Sequence, residues 1–177
     1  MDVAARKPVS VEEYLESSFT PPCEYVDGAM IPRVEAEHNF KFVKCRIVAF
    51  FEQFEDSCHV RALTDQRICC ALDSGRRRYR VADVSIVRRP VERVSVLHQP
   101  PLLVAEILRT GEDSAVVLGR LSDFARFGVP HIWALDIDGG KVFTVSARGL
   151  HEVTVANLPI PELSLQVSVR GFFSELE

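Results

Sequence analysis

Val81-Ala82-Asp83-Val84-Ser85-Ile86-Val87, then LLVAEIL at 102–108, then SAVVLGRLSDFARFGVPHIW at 114–133 form the stretch that decides the fold. The first two segments are apolar and rich in β-branched residues, the composition of buried strands. Two carboxylates, Asp83 and Glu106, interrupt them. In a strand successive side chains alternate faces, so Asp83 shares a face with Val81, Ser85 and Val87, and Glu106 shares one with Leu102, Val104 and Leu108. Both faces of 102–108 are apolar, which places that strand centrally, covered on both sides. A buried carboxylate costs several kcal/mol unless it is paired, hydrogen-bonded or metal-bound.

The third segment is helical. At about 100° per residue, Val116, Val117, Leu118, Leu121, Phe124 and Ala125 form one apolar arc, and Arg120 falls inside it with Asp113 on the same side. Three readings of that arginine stand at this point. It snorkels to the rim, it pairs with Asp113 or a buried acid, or its guanidinium lies over a site between Asp83 and Glu106. Gly128 and Pro130 close the helix, predicted over Ser114–Phe127.

Upstream, Ser10-Val11-Glu12-Glu13 has the form of a capping box and predicts a short helix over Val11–Glu16, stopped by Pro21-Pro22. Cys23–Arg33 reads as a hairpin turning at Asp27-Gly28, with Pro32 at an edge or strand end. Phe40, Val43, Ile47, Phe50, Phe51 and Phe54 recur at helical spacing within 36–54, predicting a long helix that covers a sheet face. Three strands follow, His59–Leu63, Arg67–Leu72 and Tyr79–Val87, the last two separated by a turn at 73–78. Downstream of the central stretch, His131–Asp136 and Lys141–Ala147 make a hairpin around Asp138-Gly139-Gly140. Leu150–Val155 and Leu163–Val167 read as strands, 158–161 as irregular, and Arg170–Glu177 as a short helix. The order predicts an α/β (α+β) fold, a mixed sheet flanked by helices.

With 177 residues the chain is expected to form a single domain spanning 1–177, large enough to bury its own core. A net charge of -4 argues against coating nucleic acid by bulk charge. No apolar run approaches the roughly 18 residues needed to span a membrane, and the N-terminus lacks a hydrophobic signal segment. A cytoplasmic location and no membrane partner are the expectations. Five cysteines, an odd number without CxxC spacing, point to free thiols rather than a disulfide framework or a zinc site.

Arg76-Arg77-Arg78-Tyr79-Arg80, with Arg88, Arg89 and Arg93 beyond, is the most basic part of the chain. It flanks the Asp83 strand. Arg76, Arg77, Arg78 and Arg80 are therefore candidate contacts for a phosphate backbone, set against the plainer reading of a solvated turn. The histidines lack metal-ligand spacing, and there is neither a Gly-rich phosphate loop nor a GxSxG elbow.

On these residues the chain resembles the Uma2 family, restriction-endonuclease-like proteins of the PD-(D/E)XK nuclease superfamily. Cys23-Glu24-Tyr25-Val26-Asp27-Gly28 is similar to the family's YE-x-x-DG hairpin, Ala82-Asp83 to its PD pair, and Pro101–Leu108 to its PDLVVEVL strand. Phe124–Trp133 is similar to its YxxxGVPEYW stretch, and the resemblance continues from SVEEYLE at the start to Phe172.

The resemblance implies a restriction-endonuclease-like mixed sheet. It implies Asp83 and Glu106 as ligands of Mg²⁺ (or Mn²⁺), metal-dependent hydrolysis of DNA phosphodiester bonds, and Glu24 and Asp113 as accessory acids. Leu108 stands where E-x-K would have lysine. The family's lysine lies instead fourteen residues beyond the glutamate, at Arg120 here. A guanidinium stabilises developing charge but cannot serve as a base, since it keeps its proton. The catalytic candidates are thus Asp83, Glu106 and Arg120. DNA is the implied partner, and a homodimer would suit cleavage of both strands. The alternative is a catalytically silent nuclease-fold module for nucleic-acid binding or protein interaction, with Arg120 bonded directly to Glu106 or Asp83.

Overall fold

The computed structural model of the chain describes residues 9–35, 38–71, 76–90, 94–146 and 148–173. The expected turn at Asp73-Ser74-Gly75, Arg93, the start of the long helix at Ala36, the end of one strand at Ala147 and the last residues of the C-terminal helix lie outside the described residues.

The elements follow one another as α1 (Val11–Glu16), β1 (Cys23–Val26), β2 (Ala29–Pro32), α2 (His38–Glu52), β3 (Val60–Ala71), β4 (Arg77–Arg88), β5 (Val96–Leu97), β6 (Leu103–Ile107), α3 (Ser114–Phe127), β7 (His131–Asp136), β8 (Lys141–Ser146), β9 (Gly149–Glu152), β10 (Leu158–Ile160) and β11 (Leu165–Val167). Single 3₁₀ turns occupy Pro161–Leu163 and Val169–Phe173. The first nine strands form one mixed sheet in which β2, β1, β4, β6, β7, β8 and β9 lie side by side, β3 pairs with β4, and β5 pairs with β3. Among the described residues only β6–β7 and β3–β5 run parallel. The β6–β7 crossover is α3, as a parallel pair requires.

The helices cover opposite faces. Phe40, Val43, Ile47 and Phe51 of α2 pack with Val84, Ile86, Leu103, Ala105, Ile107, Trp133 and Leu135. Leu121 and Phe124 of α3 pack with Ile68, Ala82, Val104, Ile132 and Ala134. Each of these helices therefore buries one stripe of its 3.6-residue period against one face of a period-2 sheet. α1 joins a third, aromatic cluster in which the Tyr14 ring lies tilted against Tyr25 and Tyr79 and donates its hydroxyl to the Cys23 carbonyl at 2.8 Å.

Several expectations need correction. The two strands expected at His59–Leu63 and Arg67–Leu72 are one strand, β3, because its pairing with β4 carries it through the polar Thr-Asp-Gln interruption. The register passes from Thr64↔Val84 to Gln66↔Ala82, leaving Asp65, at φ 50°, opposite Asp83. Here the alternation also breaks, since Ala82 packs on the α3 side while Val84 and Ile86 pack on the α2 side. The irregular segment expected at 158–161 contains β10, and the C-terminal helix is a 3₁₀ turn.

The C-terminal end of α3 matches its signal, and the N-terminal end is capped by the acid that the wheel sets beside Arg120. Asp113 caps it by accepting from the Ala115 N–H at 2.7 Å. Gly128 closes it in the left-handed conformation at φ 93°. A Cβ on Gly128 would meet nothing nearer than Pro100 Cγ at 3.9 Å, so an added methyl costs backbone strain alone. Gly128→Ala is expected to lower stability by about 1–2 kcal/mol, read as a shifted urea midpoint with an unchanged slope.

Candidate active site

The site originates in an edge that two strands share incompletely. β3 occupies the whole of one edge of β4. Along the other, β1 pairs at Tyr25↔Tyr79 and β6 from Val84↔Ala105 to Ile86↔Leu103. Between them, Arg80 to Asp83 have no ladder partner on that side among the described residues, although all of this backbone is buried. Buried amides must be satisfied somewhere, and here side chains do it. The Val81 N–H donates to Glu24 Oε1 at 3.1 Å, and the Val81 carbonyl accepts from Arg33 Nη1. One step beyond the last β4–β6 ladder pair, the Asp83 N–H donates to Glu106 Oε1 at 3.1 Å and the Ile107 N–H to Asp83 Oδ2 at 2.9 Å. The two carboxylates thus replace the ladder and each other's backbone partners.

Arginines neutralise them from three directions. From the end of the β1–β2 hairpin, Arg33 Nη2 lies 3.2 Å from both oxygens of Asp83 and 3.1 Å from Glu106 Oε2. From α3, Arg120 donates Nε to Glu24 Oε1 at 2.6 Å, Nη1 to Glu106 Oε2 at 3.0 Å and Nη2 to Glu112 Oε1. From the β6–α3 connection, Arg109 Nη2 donates to Asp83 Oδ1 at 2.7 Å while its guanidinium lies over the Phe40 ring, 4.1 Å from the centroid. Beyond Glu24 the network continues. Arg80 bonds Glu24 Oε2 and Asp123 Oδ2, both at 2.7 Å, and Arg78 bonds Asp123 and Asp27. Glu24, Asp83, Glu106 and Arg120 are each no more than 1% exposed.

Asp83, Glu106, Arg120 and Glu24 therefore meet in one cluster. Asp113 does not join them. Its carboxylate is spent on the α3 cap, and the acid that reaches Arg120 is its neighbour Glu112. Of the basic run, Arg76 and Arg77 are exposed, Arg78 is half-buried, and Arg80 is buried with its donors turned inward. The outward orientation expected for Arg80 is corrected by Glu24 and Asp123, which hold it. Sequence reasoning missed Arg33, Arg109 and Glu112. Arg33 followed a proline at a hairpin end, and Arg109 and Glu112 sat in a connector. The one available signal was the count of buried acids, which called for more cations than Arg120 alone.

Burial would raise the Asp83 carboxyl, but Arg33, Arg109 and the Ile107 N–H hold it below the usual carboxylate range. For Glu106 the balance runs the other way: burial and the adjacent Asp83 push it up to about 7, against the pull of Arg33 and Arg120. Two acids in contact whose pKa values are driven apart mark a strongly coupled pair. Around Arg120, burial disfavours the cation, and Glu106 and Glu24 outweigh it.

Comparison with known proteins shows the family and the fold. A family model described as "Uma2: Putative restriction endonuclease" matches residues 11–175. Among solved structures, a putative nuclease belonging to DUF820 from Anabaena variabilis ATCC 29413 is similar, with a TM-score of 0.78 at 19% sequence identity. The match covers 94% of this chain and 98% of that one. No curated protein matches. Among the described residues no helix is long and apolar enough to cross a membrane.

Removing Arg120 would take one cation from each of three buried carboxylates, leaving Glu24 to Arg80 and Glu106 to Arg33, so Arg120→Ala is expected to cost about 3–5 kcal/mol in denaturant unfolding. The raised Glu106 has a pH signature. Between its ordinary pKa of 4.5 and about 7 the folded state holds a proton that the unfolded chain has released. Its contribution to stability therefore falls as pH rises through that window. The stability difference between wild type and Glu106→Gln should narrow over the same window and level off above it. Asp83, with a lowered pKa, acts oppositely, and only below its ordinary value of 3.8.

Proposed function

Because the chain belongs to the Uma2 family, whose description is putative restriction endonuclease, we propose that it engages DNA through a nuclease fold whose carboxylate pair is closed by arginine, and that metal-dependent strand cleavage is silent in this closed form. The observation that carries this reading is the direct bond of Arg120 Nη1 to Glu106 Oε2 at 3.0 Å, within a site where every oxygen of Asp83 and Glu106 already accepts a hydrogen bond. Mg²⁺ demands near-octahedral oxygen ligands at about 2.0–2.1 Å. Here the oxygens that would supply them are committed to guanidinium and amide donors. As arranged, the donor set does not fit a divalent ion. Arg120, at the position of the family's lysine, keeps its proton at any working pH and so supplies charge but not a base.

The residues left for DNA are on the surface. Arg76 and Arg77 are exposed at the start of β4, where phosphates can reach them, while Arg78 and Arg80 are drawn into the network behind. Such contacts position a backbone without reading its sequence. DNA as partner follows from the family, and these two side chains are the contacts this chain offers first.

A second reading, a metal-dependent endonuclease of the family's kind with weakened activity, draws support from a different observation. Asp83 and Glu106 stand opposite one another on neighbouring strands, as a metal-ligating pair would.

One experiment separates them. Fluorescence anisotropy with duplex DNA over a salt series is expected to show binding, and the double variant Arg76→Ala/Arg77→Ala should reduce the slope of log K against log salt by about 2. Supercoiled plasmid incubated with wild type and Mg²⁺ or Mn²⁺ should stay intact. Nicking that Glu106→Ala abolishes would replace the first reading by the second. Absence of any DNA binding would refute both.

A further inference from the structure

The guanidinium of Arg33 occupies the point from which an ion would bridge the two central acids. Its Nη2 alone lies within 3.2 Å of oxygens on both Asp83 and Glu106. The other arginines each touch only one of the pair: Arg109 bonds Asp83, and Arg120 bonds Glu106. We propose that Arg33 is the resident cation of this site, a covalently attached substitute for the divalent metal, and that its charge is what excludes the metal. The proposal rests on the closed-site reading above and names the residue responsible for it.

Three features support the assignment. Arg33 is 3% exposed, so this contact is not an adventitious surface pairing. Its position is built: its own N–H donates to the Pro22 carbonyl at 2.8 Å and its Nη1 to the Val81 carbonyl, which aims Nη2 between the acids. Its removal would leave each carboxylate a cation of its own, since Arg109 stays with Asp83 and Arg120 with Glu106. Like charges a few ångströms apart in a buried site repel strongly, so a divalent ion and Arg33 exclude one another. Without Arg33, each oxygen it now holds keeps one donor, from Arg109, Ile107 or Arg120, and regains a lone pair for an ion, in a site whose backbone donors already fix the carboxylates' orientation.

The test is calorimetric titration of MnCl₂ into wild type, Arg33→Ala and Arg33→Ala/Glu106→Gln, without DNA, followed by electron paramagnetic resonance of the bound Mn²⁺. Wild type should show no saturable binding at Asp83 and Glu106. Arg33→Ala should bind one Mn²⁺ more tightly than wild type by about a hundredfold or more, and the added Glu106→Gln should remove that site. If Arg33→Ala does not fold alone, circular dichroism should show Mn²⁺ restoring the native spectrum, because an ion that binds only the folded state stabilises it. A variant indifferent to Mn²⁺, folded or not, overturns the proposal. So does a wild type that binds Mn²⁺ as tightly as the variant in a Glu106-dependent way. Neither result bears on the anisotropy measurement, so the assignment of Arg33 and DNA engagement fail separately.

Discussion

The architecture of the site depends on a stretch of buried strand edge without a neighbouring strand. β1 leaves β4 at Tyr79 and β6 joins it only at Val84, and the main chain between them still needs partners. These residues are buried, and an unsatisfied buried amide costs about as much as a lost hydrogen bond. Glu24 and Glu106 supply oxygens to the Val81 and Asp83 amides, and Asp83 returns the service to Ile107. Carboxylates so placed need positive charge in turn. The arginines of the hairpin end, the connector and α3 are a consequence of the gap before they are anything else.

On the reading proposed above, a gap of this kind lets one fold serve as a cutting or a silent site. The acids are held by backbone donors, whatever neutralises them. What fills the centre then decides the chemistry. An ion with open coordination positions would polarise a phosphodiester, whereas a guanidinium uses the same oxygens and leaves no position open. In this chain three guanidiniums converge on two acids, and the interaction holds together elements far apart in sequence. A buried ionic network of this sort is weak evidence of extra stability, because desolvation offsets much of the Coulomb gain. Its more certain effect is to fix where the hairpin, α3 and the sheet sit relative to one another.

Much of the fold was legible because its signals are local. Ser10 caps the helix its side chain announces, Gly128 ends α3 in the conformation only glycine adopts easily, and the apolar stripes of α2 and α3 face the sheet, with Leu118 of the expected α3 arc left exposed. What misled was local as well. The Thr-Asp-Gln interruption divided β3 on paper, yet pairing with β4 on both sides of Asp65 holds it as one strand. Asp113 seemed a partner for Arg120 because both lie on one side of the helical wheel, but a cap position uses up a carboxylate before it can reach across. Arg80 looked like part of a solvated basic run, and only the packing of β1 and α3 shows two acids waiting behind it.

The sequence by itself determined that two acids would interrupt buried strands and that one cation would fall within the apolar arc of a crossover helix, because apolar neighbours recur there at periods of 2 and 3.6. It could not determine which charges would meet. Arg33 is separated from Asp83 by 50 residues and from Glu106 by 73, and nothing in the hairpin's local pattern says that its last side chain turns into the sheet's open edge. Pairing in a buried network is set by which backbone groups are left over once every strand has found its neighbours, and that remainder exists only in the assembled sheet.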